Sequence, residues 1–251
     1  MTDDGRDSIV DEEGQPVVQD DLEGVEEAKR IAEEEEAGFR HPEGWQRHIV
    51  PTIAVLWCMF QLSIASWLLM NSIYIRAIHL GFAMLIAYFS YPAMKRPISG
   101  FFSFLSTRTR IPLFDFALGA AGCASALYLW IDYEGIMSRY GTSVTRDLIL
   151  GGILVLFLLE AARRVVGPAL TVIASMFTAY VFFAEHMPEA FAFRSASLAK
   201  YVDKISLSTE GIYGIPLDVS AMIVFLFVLF GSMLEKAGAG RFFIELALSM
   251  L

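Results

Sequence analysis

The side chains able to carry chemistry are few and far apart. Four histidines (His41, His48, His79, His186) and two cysteines (Cys58, Cys123) are spread over 251 residues. Only His79 lies inside an apolar run, three residues after Arg76. No HExxH, CxxC, GxSxG or phosphate-loop spacing occurs. A membrane enzyme needs paired acids, a metal cluster or a nucleophile beside a base, and none of those spacings appears. The expectation is therefore no catalytic residue, no metal site and no cofactor. Cys58 and Cys123 sit within apolar stretches and read as small core residues. What remains are charges in or beside apolar runs, which are costly in a bilayer and rarely accidental. Asp115 follows the start of one run and reads as a helix-start charge paired with Arg108 or Arg110, or as a domain-interface charge. Glu160 lies one turn before Arg163 and Arg164, the spacing of an i to i+4 pair with Arg164. Asp218, after Pro216, reads as a helix cap. Glu235 and Lys236 read as boundary charges.

The elements that must hold these residues are set by charge and hydropathy. The chain is 55% apolar and 19% charged, with 28 acids against 19 bases. The acidity is local: residues 1–47 contain sixteen acids and five bases, the remainder twelve and fourteen. No basic domain exists to neutralise phosphates, so nucleic acid is excluded as a partner. Residues 1–47 lack the basic start and apolar core of a secretory signal. They read as a mostly disordered acidic arm on the cytoplasmic side, with a short charged helix from Leu22 to Ala32.

From Ile49 onward, charge-poor stretches alternate with short polar breaks, the pattern of an all-α polytopic membrane protein. Lipid offers backbone N–H and C=O groups no partner, so each span must be a helix. Six spans are expected: Ile49–Met70, Ala77–Met94, Ile111–Ile131, a short one after Asp147 interrupted by Glu160, Arg163 and Arg164, Val165–Ala184, and Leu217–Leu234. Phe242–Leu251 starts a seventh. Basic flanks number twelve on the side of the arm and six on the other, which places the arm and Lys95, Arg96, Arg108 and Arg110 in the cytoplasm. Residues 188–210 contain an amphipathic stripe (Leu198, Tyr201, Val202, Ile205), suited to a helix on the outer membrane surface or packed on neighbouring spans. Gly211, Gly214 and Pro216 make an irregular entry to the last full span, and Gly231, Gly238 and Gly240 surround its exit. Such glycines serve close helix packing, turns or broken-helix geometry.

Residues 207–246, LSTEGIYGIPLDVSAMIVFLFVLFGSMLEKAGAGRFFIEL, resemble the permeases of tripartite ATP-independent periplasmic (TRAP) transporters. The likeness is to the TAXI subgroup, in which a four-span small domain is fused to a twelve-span large one. LLEAARRVVGPAL at 158–170 is similar to the segment linking those two domains. The resemblance implies that residues 48–187 form the small scaffold-like domain and 188–210 a connector. It also implies that 211–251 open the large transport domain, with Gly211, Gly214, Pro216, Glu235, Lys236, Gly238 and Gly240 as motif residues. It implies uptake of an organic acid or similar solute, delivered by an extracytoplasmic TAXI-type solute-binding protein and driven by a cation gradient, usually sodium. Solute and ion ligands are then expected beyond Leu251, in a remainder of the transport domain that the chain would need as a partner. A non-transporting scaffold or assembly subunit of a split permease is the alternative expectation.

Overall fold

The computed structural model describes residues 38–94, 107–189 and 192–249. Residues 1–37 with their expected helix, the Lys95–Arg96 flank and residues 250–251 lie outside the described residues. Among those described, all regular structure is helical. Helix α1 (Ile49–Ser66) continues from a 3-10 turn at Gly44–His48 and has Pro51 in its first turn, where a missing N–H costs little. It ends earlier than the hydropathy suggests. Trp67 leaves helical geometry, and the Ser63 carbonyl accepts from both Trp67 N and Leu68 N. Asn71 then caps α2 (Ser72–Ser90), its side chain accepting from Ile73 N at 3.0 Å. The expected second span, Ala77–Met94, is thus displaced toward the N-terminus, because an Asn cap outweighs the boundary suggested by Arg76.

After Pro112, α3 (Leu113–Ile131) runs antiparallel to α2, and the short α4 (Tyr133–Ser138) turns the chain. Helix α5 (Thr145–Val165) contains the charges expected to shorten it. It runs through them because each has a partner, described below. A turn at Gly167 leads to α6 (Pro168–Phe183). Then come α7 (Leu198–Ser206), α8 (Ile215–Val219), one turn of π-helix (Ser220–Val224), α9 (Phe225–Lys236) and α10 (Ala239–Ser249). The expected seventh helix therefore begins at Ala239. Gly238, at φ 83°, makes the turn before it in a backbone region that side chains other than glycine enter at a cost.

Among the described residues, five helical segments are long and apolar enough to cross a membrane: Gly44–Ser66, Ser72–Ser90, Leu113–Ile131, Pro168–His186 and Ile215–Lys236. Helix α5 is not among them, since charges crowd both of its ends. The core lies where α2, α3 and α5 meet. Ala77, Leu80, Met84 and Tyr88 of α2 pack with Ala126 and Leu129 of α3 and Leu154 of α5. In contrast, α1, α6 and α9 bury little of their apolar surface against the protein. Their exposed residues are largely apolar, as helices long enough to cross a membrane require.

Candidate functional site

Three polar assemblies interrupt this apolar bundle. The first lies where α3 starts and α2 and α5 end. Asp115, fully buried, pairs with Arg164 at 2.8 Å and with Arg40, which is only 5% exposed. Arg40 and Arg164 thus take the place in which Arg108 or Arg110 was the expected partner. Arg40 lies in the stretch read as a disordered arm, yet its backbone N donates to Ser90 O at 2.8 Å. Its side chain also donates to the carbonyls of Tyr88 and Thr107, each at 3.1 Å. Burial pulls the Arg40 guanidinium below its ordinary pKa, a shift opposed by the Asp115 carboxylate. Arg164 stacks over the Tyr88 ring, 4.7 Å from its centroid, and donates to Glu160 at 2.7 Å. Glu160 also accepts from Arg163 at 2.7 and 2.8 Å, and Arg163 reaches Ala93 O at 2.6 Å. Three arginines and two acids thus join residues 38–43 to the ends of three helices.

The second assembly sits at the other end of the bundle. Asp147, 1% exposed, accepts from Tyr128 Oη, from Arg139 and from the Val144 backbone N. Asp132 pairs with Arg139 at 2.9 Å and with Arg146. Asp203 of α7 accepts from Ser143 Oγ and from Gly141 N. It lies off the apolar stripe, yet it is buried because α7 packs on α5. Val202 and Ser206 cover Gly151, where a Cβ would stand 2.6 Å from Ser206 Oγ. This packing corresponds to the helix-on-neighbouring-spans alternative for the amphipathic stripe. Lys204 pairs with Glu210, which holds its pKa above the ordinary lysine value.

The 207–218 motif is seated at that same end. Ile212 N donates to Ile205 O at 2.8 Å, and a Cβ on Gly211 would lie 2.1 Å from that carbonyl, so only glycine fits there. Tyr213 is fully buried, with its hydroxyl donating to Ala126 O at 2.8 Å, and burial raises its pKa. Asp218 pairs with Arg76 of α2 at 2.7 Å, and Arg76 donates to Tyr213 O at 2.7 Å. Gly214 is buried, with the Gly211 carbonyl 2.8 Å from where a Cβ would stand, whereas Pro216 opens α8 on the exposed side. Glu235, Lys236 and Gly240 are exposed near the α9–α10 turn, and Gly231 has open space where a Cβ would stand.

The third assembly escaped the reading of charges because it is uncharged. Gln61 of α1 and His79 of α2 are both buried and meet the π-turn at Ala221. The signal available was a glutamine and a histidine, each within an apolar run.

No buried side-chain nitrogen or oxygen lacks a hydrogen-bond partner among the described residues. No group of three His, Cys, Asp or Glu able to hold a metal occurs among them either. An open cavity of about 710 Å³ lies between Tyr140, Val181 and α7, with Lys200 and Lys204 on its rim. Taken together these assemblies are clamps. They fix helix ends to one another and seat the glycine-rich motif on the α2–α3 pair.

Such an architecture is that of a multi-pass helical membrane protein. Residues 153–251 match the family model "Tripartite ATP-independent periplasmic transporter, DctM component". The match covers 99 of the 251 residues, and over that stretch the chain is similar to a transporter permease component. No curated protein and no solved structure matches the chain.

Proposed function

We propose that the chain serves as the membrane permease component of a TRAP transporter of the TAXI type. It takes up an organic acid or similar small solute, with an extracytoplasmic solute-binding protein delivering the cargo and a sodium gradient driving entry. It resides in the cytoplasmic membrane with its N-terminus inside. The observation that carries this reading is the match over residues 153–251, which contains the whole 207–246 motif. The seating of that motif supports it: Arg76, Tyr213 and Asp218 tie the segment leading into α8, inside the matched region, to α2, which lies outside it. A family built of a small and a large membrane unit needs such a joint.

Uptake of labelled dicarboxylates and amino acids by cells with and without this gene, and with and without the partner binding protein, tests the proposal. Sodium-dependent uptake of at least one solute should be lost in both deletions and restored by complementation. Uptake unaffected by loss of either gene overturns the reading, and uptake insensitive to sodium overturns the coupling ion.

A further inference from the structure

Between α8 and α9 the chain makes one turn of π-helix, Ser220–Val224. Phe225 N–H donates to Ser220 O, five residues back, and not to Ala221 O as an α-helix would require. The Ala221 carbonyl accepts from Gln61 Nε2 of α1 at 2.7 Å. Gln61 Nε2 is also 2.9 Å from His79 Nδ1, and Trp57 Nε1 donates to the same ring nitrogen at 3.2 Å. With two N–H donors aimed at it, Nδ1 is the acceptor, so the ring proton belongs on Nε2, 3.4 Å from Ser220 Oγ. Gln61 and Ala221 are each 2% exposed and His79 is 4%. In so apolar a setting a side-chain amide without partners is costly, so the α1–α2 pair holds Gln61 where it can take this carbonyl.

Beyond the π-turn few contacts among the described residues set the rotation of the helix. Phe225 packs on Trp57 and His79, with ring centroids 4.8 and 5.8 Å apart. Leu226 and Leu229 are half-buried, whereas Phe227, Val228, Phe230 and Met233 are all exposed. Among the described residues the rotational register of α9 therefore rests on one narrow apolar face and on a few polar contacts one turn upstream.

We propose that the Gln61–His79 clasp is a register switch for this helix. While Gln61 holds Ala221 O, the extra residue stays in the π-turn. When Gln61 lets go, Phe225 N–H takes Ala221 O, the turn becomes α-helical, and everything from Phe225 onward rotates by about 100°, the angle of one residue. The geometry needs no charge and no ligand, only the exchange of one hydrogen bond for another. It stands independently of the solute and of the transporter family.

Spin labels placed singly at positions 226–233, in the full chain with Cys58 and Cys123 replaced by Ala, read the register in bilayers as periodic oxygen accessibility. Gln61→Leu should move the accessibility maximum by one residue. Deleting Met222 removes the extra residue, so that variant should be α-helical throughout with the wild-type phase, whether or not Gln61 is present. An unchanged phase in Gln61→Leu overturns the proposal. Should that variant fail to insert, Gln61→Met, similar in length and without an amide donor, takes its place: a phase moved by one residue supports the switch, and an unchanged phase sinks it.

Discussion

Asp115 and Arg163 show how differently two charges of one network weigh. Asp115 is enclosed and faces two guanidiniums that are equally enclosed, Arg40 and Arg164. Replacing it by asparagine leaves two buried cations without their shared counter-charge, a change that costs about 3–5 kcal/mol when a buried pair is broken. Arg163 is 37% exposed, and its pair with Glu160 is an i to i+3 contact at the rim. Exposed pairs of that kind contribute roughly 0–1 kcal/mol. We therefore expect Asp115→Asn to lower the thermal midpoint of the purified protein by many degrees, while Arg163→Ala lowers it by little. Thermal unfolding in detergent, followed by size-exclusion, checks this. Equal midpoints for the two variants would remove the basis for calling the Asp115 assembly a clamp. The sequence revealed Asp115, Glu160, Arg163 and Arg164 as unusual because charges are rare in apolar runs. It did not reveal Arg40 as the partner, since 75 residues separate it from Asp115 and no local spacing reports a contact at that distance. Gln61 and His79 stayed hidden for a related reason: an uncharged polar residue in an apolar run is common, and only a neighbour from another helix makes it notable.

At the scale of elements, helix type was legible nearly throughout, because a bilayer permits no other fold for 18-residue apolar runs. Boundaries were less so. The α1–α2 break was placed late because Leu68, Leu69 and Met70 extend the apolar run past the point where Asn71 caps the next helix. Hydropathy reports the solvent and is silent on the cap. The short α5 expected from its charges is a full 21-residue helix, since pairing removed the reason to stop. The glycines divide along similar lines. Gly211 is pressed against Ile205 O, and Gly231 faces open space. Gly211→Ala should displace the turn that seats Tyr213 and cost on the order of 1–3 kcal/mol, as overpacking does. Gly231→Ala should be neutral or gain roughly 0.5–1 kcal/mol from helix propensity. Chemical denaturation of both variants, read by Trp fluorescence, separates the two. Comparable losses would mean that Gly231 packs on something that the chain's own described residues do not supply.

For the whole molecule, the question is which parts of the chain the bundle needs. Residues 38–43 are strapped to α2 and to the 107–109 segment by backbone bonds from Arg40, His41 and Glu43. Removing residues 1–37 leaves that strap in place and should preserve insertion. Removing residues 1–40 takes Arg40 away and should preserve insertion while lowering the midpoint. Membrane fractionation combined with thermal unfolding distinguishes the two truncations. Identical midpoints for them would show that the strap contributes nothing.

The membrane topology turns on α5, among the described residues the one long helix whose composition alone does not mark it as a span. Its first turn holds Asp147, bound to Tyr128 near the end of α3, and its last turn holds Arg164, bound to Asp115 at the beginning of α3. A helix of 21 residues reaches about 31 Å, the thickness of a hydrocarbon core. Fastened at both ends to an apolar helix of similar length, α5 must cross wherever α3 crosses. The charges that disqualify it by composition sit at its two ends, where they meet partners. With the N-terminus inside, single cysteines at Thr109 and Val166 should be protected from an impermeant maleimide in intact cells and labelled after permeabilisation. Cysteines at Thr142 and Lys200 should be labelled from outside, with Cys58 and Cys123 replaced by Ala throughout. Labelling of Val166 and Thr142 from the same side would mean that α5 does not cross, and the two charge assemblies could not then lie at opposite faces of the membrane.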